Sequence, residues 1–138
     1  QAYPKRRGFP AVQGPFRGRR VRAKWLPKGE ASFNGLYDQY RRSAKRRNIP
    51  FLLNKSQFRL FTKRSCCYCG DEPKQTYSNK TYNGGYVYNG LDRINSRFGY
   101  SNKNCVTCCK VCNKAKSKLT QIGFFTLVKK VYKHGKFS

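Results

Sequence analysis

Four of the seven cysteines in this 138-residue chain fall into two short pairs, Cys66-x-x-Cys69 and Cys109-x-x-Cys112. Each such turn points two sulfurs at one centre, so the two together can close a tetrahedral Zn²⁺ site of four thiolates. With 39 residues between the pairs, the metal would staple a long excursion rather than a local finger. That excursion contains Gly90-Leu91-Asp92-Arg93-Ile94, and the second pair runs directly into Asn113-Lys114-Ala115-Lys116. A candidate site for phosphate chemistry therefore lies beside the predicted metal. Cys67, Cys105 and Cys108 read as small buried hydrophobes near it; Cys105-x-x-Cys108 stays open as an alternative ligand pair. The odd cysteine count, the metal-like spacing and the lack of a visible secretory segment argue against a disulfide scaffold. The expected setting is an intracellular, reducing compartment, with a mitochondrial or other organellar matrix included.

Charge is the second signal. Thirty-one Lys and Arg against five Asp and Glu give +26. Self-repulsion of that size opposes compaction unless a polyanion neutralises it. Nucleic acid is the expected partner, RNA ahead of DNA, with binding that weakens steeply in salt through counterion release. Anionic lipid is the competing partner. No apolar run approaches the ~18 residues needed to span a bilayer, and the basic segments lack a long apolar face.

The chain reads in three parts: 1–30, an extended basic tail; 31–62, a basic helix and a short second helix; and 63–138, the zinc-bound region with a C-terminal helix. Residues 1–29 carry nine cations and no acid, interspersed with Pro4, Pro10, Pro15, Pro27 and four glycines. That density of proline and glycine excludes regular structure, so a polyanion is needed to order the tail. Arg6, Arg7, Arg17, Arg19, Arg20 and Arg22 are its candidate nucleic-acid contacts. The chain lacks methionine and begins at Gln1, which reads as a processed or truncated product.

A helix is expected from Phe33 to Asn48, with Leu36, Tyr37, Tyr40 and Ala44 at helical spacing. Arg41, Arg42, Lys45, Arg46 and Arg47 place five cations without an acid in seven residues. So unbalanced a run favours phosphate contact by Arg41, Arg42, Arg46 and Arg47. Asn54 and Gln57 form a capping-box signature for the second helix, with Phe58 and Phe61 as core. Gly70 is suited to the left-handed turn that closes the first knuckle. Residues 71–84 read as polar turns. Strands are expected at Tyr86–Tyr88, Leu91–Ile94 and Cys105–Thr107, then a short helix over Asn113–Lys118, where Lys114 and Lys116 are further phosphate candidates. Thr120 caps a last helix with the apolar stripe Phe124, Leu127, Val128 and Val131.

A strand, a loop, a strand and a helix framed by two knuckles make a zinc-stapled ββα unit, giving an α+β fold with flanking helices. The ordered set Tyr88 to Ser96, Gly99-Tyr100, Asn104, Cys108 to Asn113 and Lys116 resembles the HNH endonuclease family. The likeness is nearest to zinc-bound members from phages and restriction systems, and it covers roughly residues 31–134. In that family an Asp binds a divalent cation, a neighbouring His deprotonates the attacking water, an Asn braces the ββ loop, and a His or Asn on the helix is the second metal ligand. The resemblance thus implies Asp92 and Asn113 on Mg²⁺ or Mn²⁺, if the site is active, and Asn104 as the brace. Oxygen donors suit such hard cations, and the metal would stabilise charge on the scissile phosphate.

Arg93 stands where the family usually has histidine. Arginine stays protonated and cannot accept a proton at neutral pH, though it can grip a phosphate. The one histidine, His134, lies far along the chain. Some zinc-bound members share Asp-Arg and serve the water with another residue, for which Tyr86, Tyr88 and Tyr100 are candidates. Plainer roles stand beside these: Asp92 pairing with Arg93 or Lys116, Asn113 as a helix cap, and Tyr86 and Tyr88 as packing. The leading functional expectation is a structural component of a large ribonucleoprotein, ribosome-like, built on a catalytically degenerate HNH fold and contacting other proteins of the assembly. The alternative is an active metal-dependent endonuclease hydrolysing DNA. A packaged virion or chromatin-like DNA-binding protein comes third.

Overall fold

The structure is a computed structural model and describes residues 26–136. The expected tail contacts Arg6, Arg7, Arg17, Arg19, Arg20 and Arg22 lie outside the described residues, and so does most of the 1–30 segment. The described elements run α1 (Glu30–Arg46), α2 (Lys55–Lys63), β1 (Gln75–Tyr77), β2 (Tyr86–Tyr88), β3 (Gly90–Arg93), β4 (Cys105–Cys108), α3 (Lys110–Lys116) and α4 (Gln121–His134). None of these helices is long and apolar enough to cross a membrane.

Two compact units share the chain. One takes in residues up to Leu36 together with Tyr77–Tyr86; the other takes Tyr37–Thr76 and Val87 onward. In the first, the start of α1 is tied to the 83–84 turn. Gly29 N–H donates to the Asn83 carbonyl (2.7 Å), and Ser32 Oγ donates to the Gly84 carbonyl (2.6 Å). Phe33 meets Tyr86 edge to face at 5.1 Å.

The second unit carries the cysteines. Its aromatic core gathers Tyr37 and Tyr40 from α1, Phe58 from α2, and Phe51. Phe58 is fully buried, and Phe61 lies on the same side of α2 and is also buried. A capping box starts α2: the Asn54 side chain accepts from Gln57 N–H, and the Gln57 side chain accepts from Asn54 N–H. Replacing Asn54 with alanine is expected to cost about 1 kcal/mol, read as a shift in the urea midpoint at unchanged slope.

β3 and β4 pair antiparallel in the register Gly90↔Cys108, Leu91↔Thr107, Asp92↔Val106, Arg93↔Cys105. Two contacts hold this hairpin on α2: Thr107 Oγ1 donates to the Phe61 carbonyl (2.6 Å), and Asn89 N–H donates to the Thr62 carbonyl (2.9 Å). Residues 50–52 run beside Tyr100 and exchange backbone hydrogen bonds with it. Gly99 permits that approach, since a Cβ there would collide with the Pro50 carbonyl.

Several local expectations shift. α1 spans Glu30–Arg46 instead of 33–48, and the polar 71–84 segment contributes the short strand β1, which pairs with β2. α3 begins at Lys110, not Asn113, because Cys109 is its cap and accepts the Cys112 N–H on sulfur. Asn113 therefore lies within the helix and is not its cap. On α4, Thr120 caps as its position suggested. Of the expected stripe only Phe124 is buried; Leu127, Val128 and Val131 remain about half exposed.

Candidate functional site

The Sγ atoms of Cys66, Cys69, Cys109 and Cys112 all lie within 4.8 Å of one another. Cys69 and Cys109 are 3.7 Å apart. Four sulfurs at the usual Zn–S distance would be separated by about 3.8 Å along a tetrahedral edge. The donor set and its spacing therefore suit a metal such as zinc.

Local backbone builds each knuckle. Gly70 closes the first in the left-handed region at φ 84°, and its N–H donates to the Cys66 carbonyl (2.9 Å). The N–H groups of Tyr68 and Cys112 donate to the sulfurs of Cys66 and Cys109, each at 3.4 Å. Asn89, fully buried, donates through Nδ2 to the Arg64 and Asp71 carbonyls on either side of the first knuckle.

Without a cation these sulfurs cannot all ionise. Burial pushes the Cys66 thiol up, but backbone N–H groups, chiefly from Cys109 and Cys69, outweigh it and bring it down to about 6. Cys112 goes the other way, raised by burial and by hydrogen bonding to Cys69 and Cys109. A bound metal ion would resolve that conflict, since the four sulfurs would hold it in place of their protons. Cys105 and Cys108 stay outside the cluster, buried in β4, and burial holds the Cys105 thiol up at about 11. Cys67 is exposed, contrary to its expected burial.

A recess of about 980 Å³ is lined among others by Arg47, Asp92, Arg93, Arg97, Tyr100, Asn113, Lys116 and Gln121. Asp92 and Arg93, successive residues of β3, both line the recess but take different partners. Asp92 Oδ2 accepts from Tyr68 Oη (2.8 Å) and Lys116 Nζ (3.1 Å), and Oδ1 lies 3.4 Å from the same Nζ. Burial, followed by the hydrogen bond to Asp92, raises the Tyr68 hydroxyl, so it remains a donor.

Lys116 is thus not the surface phosphate contact expected from its basic neighbourhood. It is buried because α3 turns it onto the single carboxylate facing that helix. Between the two plainer pairings expected for Asp92, the one with Lys116 is formed. Asn113 is exposed on α3. This donor set does not suit a hard divalent cation: its only carboxylate already holds an ammonium and a phenol.

Arg93 Nη1 donates to the Ser96 and Phe98 carbonyls, both at 2.9 Å, and the guanidinium lies 5.4 Å from the Tyr100 ring centre. Asn104 ties the same loop, donating to the Asn95 and Gly99 carbonyls and accepting from Asn95 N–H. Among the expected tyrosines, Tyr100 lines the recess and accepts from Arg47 (3.0 Å), while Tyr86 is buried in the other unit. The tyrosine on Asp92 is Tyr68, which sequence reading passed over as a knuckle residue.

Along α1, Arg41, Arg42 and Lys45 line a second groove with Asp38, Asn48 and Pro50. Arg46 is exposed on the same helix and Lys114 on α3.

No family model matches the chain. The rare-cutting HNH restriction endonuclease PacI superposes with a TM-score of 0.52 at 21% identity, covering 74% of this chain and 78% of that one. The fold is HNH-like. At that identity the likeness is one of fold alone. A protein of Acanthamoeba polyphaga mimivirus, uncharacterized protein R423, is 31% identical over 101 residues. Those residues are 73% of this chain but 17% of the viral protein, so the chain corresponds to a small part of that relative.

Proposed function

We propose that this chain binds nucleic acid and holds it without cutting it, on an HNH-like fold stapled by structural Zn²⁺. The observation that carries the reading is the state of Arg93. The residue in the base position of the HNH motif is a cation, committed to two loop carbonyls. The sole histidine ends α4, and the +26 charge supplies affinity for a polyanion. The partner favoured by this reading is RNA within a large ribonucleoprotein, ribosome-like and organellar ones included, in a reducing compartment that preserves the thiolates.

Two measurements test it. The native particle is expected to contain the chain with stoichiometric RNA; recovery only as a free protein defeats the ribonucleoprotein reading, and DNA in its place points to a packaging role. Incubation with plasmid DNA and Mg²⁺ or Mn²⁺ is expected to give no cleavage beyond that of Asp92→Ala. Cleavage lost in that variant supports the second reading, an active endonuclease hydrolysing DNA phosphodiesters, which the Asn104 loop brace favours.

A further inference from the structure

We infer that the Lys116 ammonium takes the place of a divalent cation beside Asp92, making the recess a metal-independent phosphodiester site. Both side chains are withdrawn from water, at 5% exposure for Lys116 and 12% for Asp92, with Nζ 3.1 Å from Oδ2. The Tyr68 hydroxyl fills a further acceptor position on that oxygen. A divalent ion beside the carboxylate would have to displace the ammonium or sit against it, leaving a buried charge unpaired or next to a doubly charged neighbour.

No second carboxylate, thiolate or imidazole compensates, and the neutral amide of Asn113 brings no charge to offset the ammonium. Among the described residues, the four cysteines are the only cluster of three or more His, Cys, Asp or Glu. The other four acids, Glu30, Asp38, Asp71 and Glu72, do not line the recess. The overall +26 charge further disfavours accumulation of divalent cations. Besides Arg93, which is committed to loop carbonyls, the recess holds the cations Arg47, Arg97 and Lys118, which provide the charge that phosphate oxygens need.

This inference deepens the nucleic-acid reading and rests on it for the ligand class. Its test uses no nucleic acid, so the two can fail separately. Zinc-loaded full chain is titrated with Mn²⁺, and binding is followed by loss of the free-ion electron paramagnetic resonance signal. Wild type is expected to show no stoichiometric site at submillimolar Mn²⁺. Lys116→Met or Lys116→Gln should bind one ion at least about 100-fold more tightly, and Asp92→Asn in that background should abolish the gain.

One Mn²⁺ bound by wild type and lost in Asp92→Asn overturns the inference. So does a folded, zinc-loaded Lys116 variant that gains no site. Should neither Lys116 variant fold, wild type still decides through the ¹⁵N-ammonium resonance of Lys116. The inference requires that resonance to stay sharp in millimolar Mn²⁺; selective broadening defeats it.

Discussion

Removing the metal from the four-cysteine centre is expected to abolish cooperative unfolding of the unit that carries it. Cys109→Ser should do nearly the same. Structural zinc contributes on the order of 10–16 kcal/mol of apparent binding free energy, against a total stability of about 5–15 kcal/mol for an ordinary domain. The dependence follows from what the cysteines join. Cys66 and Cys69 follow α2, while Cys109 caps α3 and Cys112 lies in its first turn. The hairpin between them is only two four-residue strands. Losing the metal leaves four crowded sulfurs and an α3 of seven residues, too short to persist alone. Close to one Zn²⁺ per chain should appear in a colorimetric release assay. Its retention should fall as pH drops, because protons compete for the thiolates. A metal-free protein that keeps a single cooperative transition by circular dichroism contradicts the assignment.

The same centre shows what could be read from sequence and what could not. Paired knuckles, the Gly70 turn, the Asn54–Gln57 capping box and the Thr120 cap are local devices. Within each knuckle, turn or cap the partners lie within four residues, so residue type and spacing suffice, and the repeated C-x-x-C spacing signals that the two knuckles share one centre. Asp92 is different, because its two partners, Tyr68 and Lys116, each lie 24 residues away, one on either side. Nothing in a basic run distinguishes a buried lysine from a solvated one, and a tyrosine inside a knuckle reads as spacing. β1 escaped because three residues in a polar, turn-rich stretch carry too little alternation to register. The α4 stripe marks the opposite limit: helical periodicity identifies an apolar face but not whether anything covers it.

Neutralising the exposed face of α1 is expected to weaken nucleic-acid binding by on the order of 10²–10³-fold at physiological salt. The substitutions are Arg41→Gln, Arg42→Gln, Lys45→Gln and Arg46→Gln together. All four positions are exposed, and among the described residues the one ion pair lost, Arg41 with Asp38 at 3.9 Å, is solvent-exposed and worth little. Folding and zinc content should therefore hold. If each cation neutralises one phosphate, the slope of log affinity against log salt should shrink by about 3–4 on duplex DNA and by slightly less on single-stranded RNA. The loss should be similar across unrelated sequences, because phosphate contacts carry no base information. An unchanged slope removes α1 from the interface. Arg93→Gln is the informative contrast. Its guanidinium is already committed to the Ser96 and Phe98 carbonyls, so its loss should loosen the 94–104 loop while leaving the salt slope nearly intact. A large slope change there would mean that Arg93 leaves the loop to grip phosphate, and the case for holding without cutting would lose its main support.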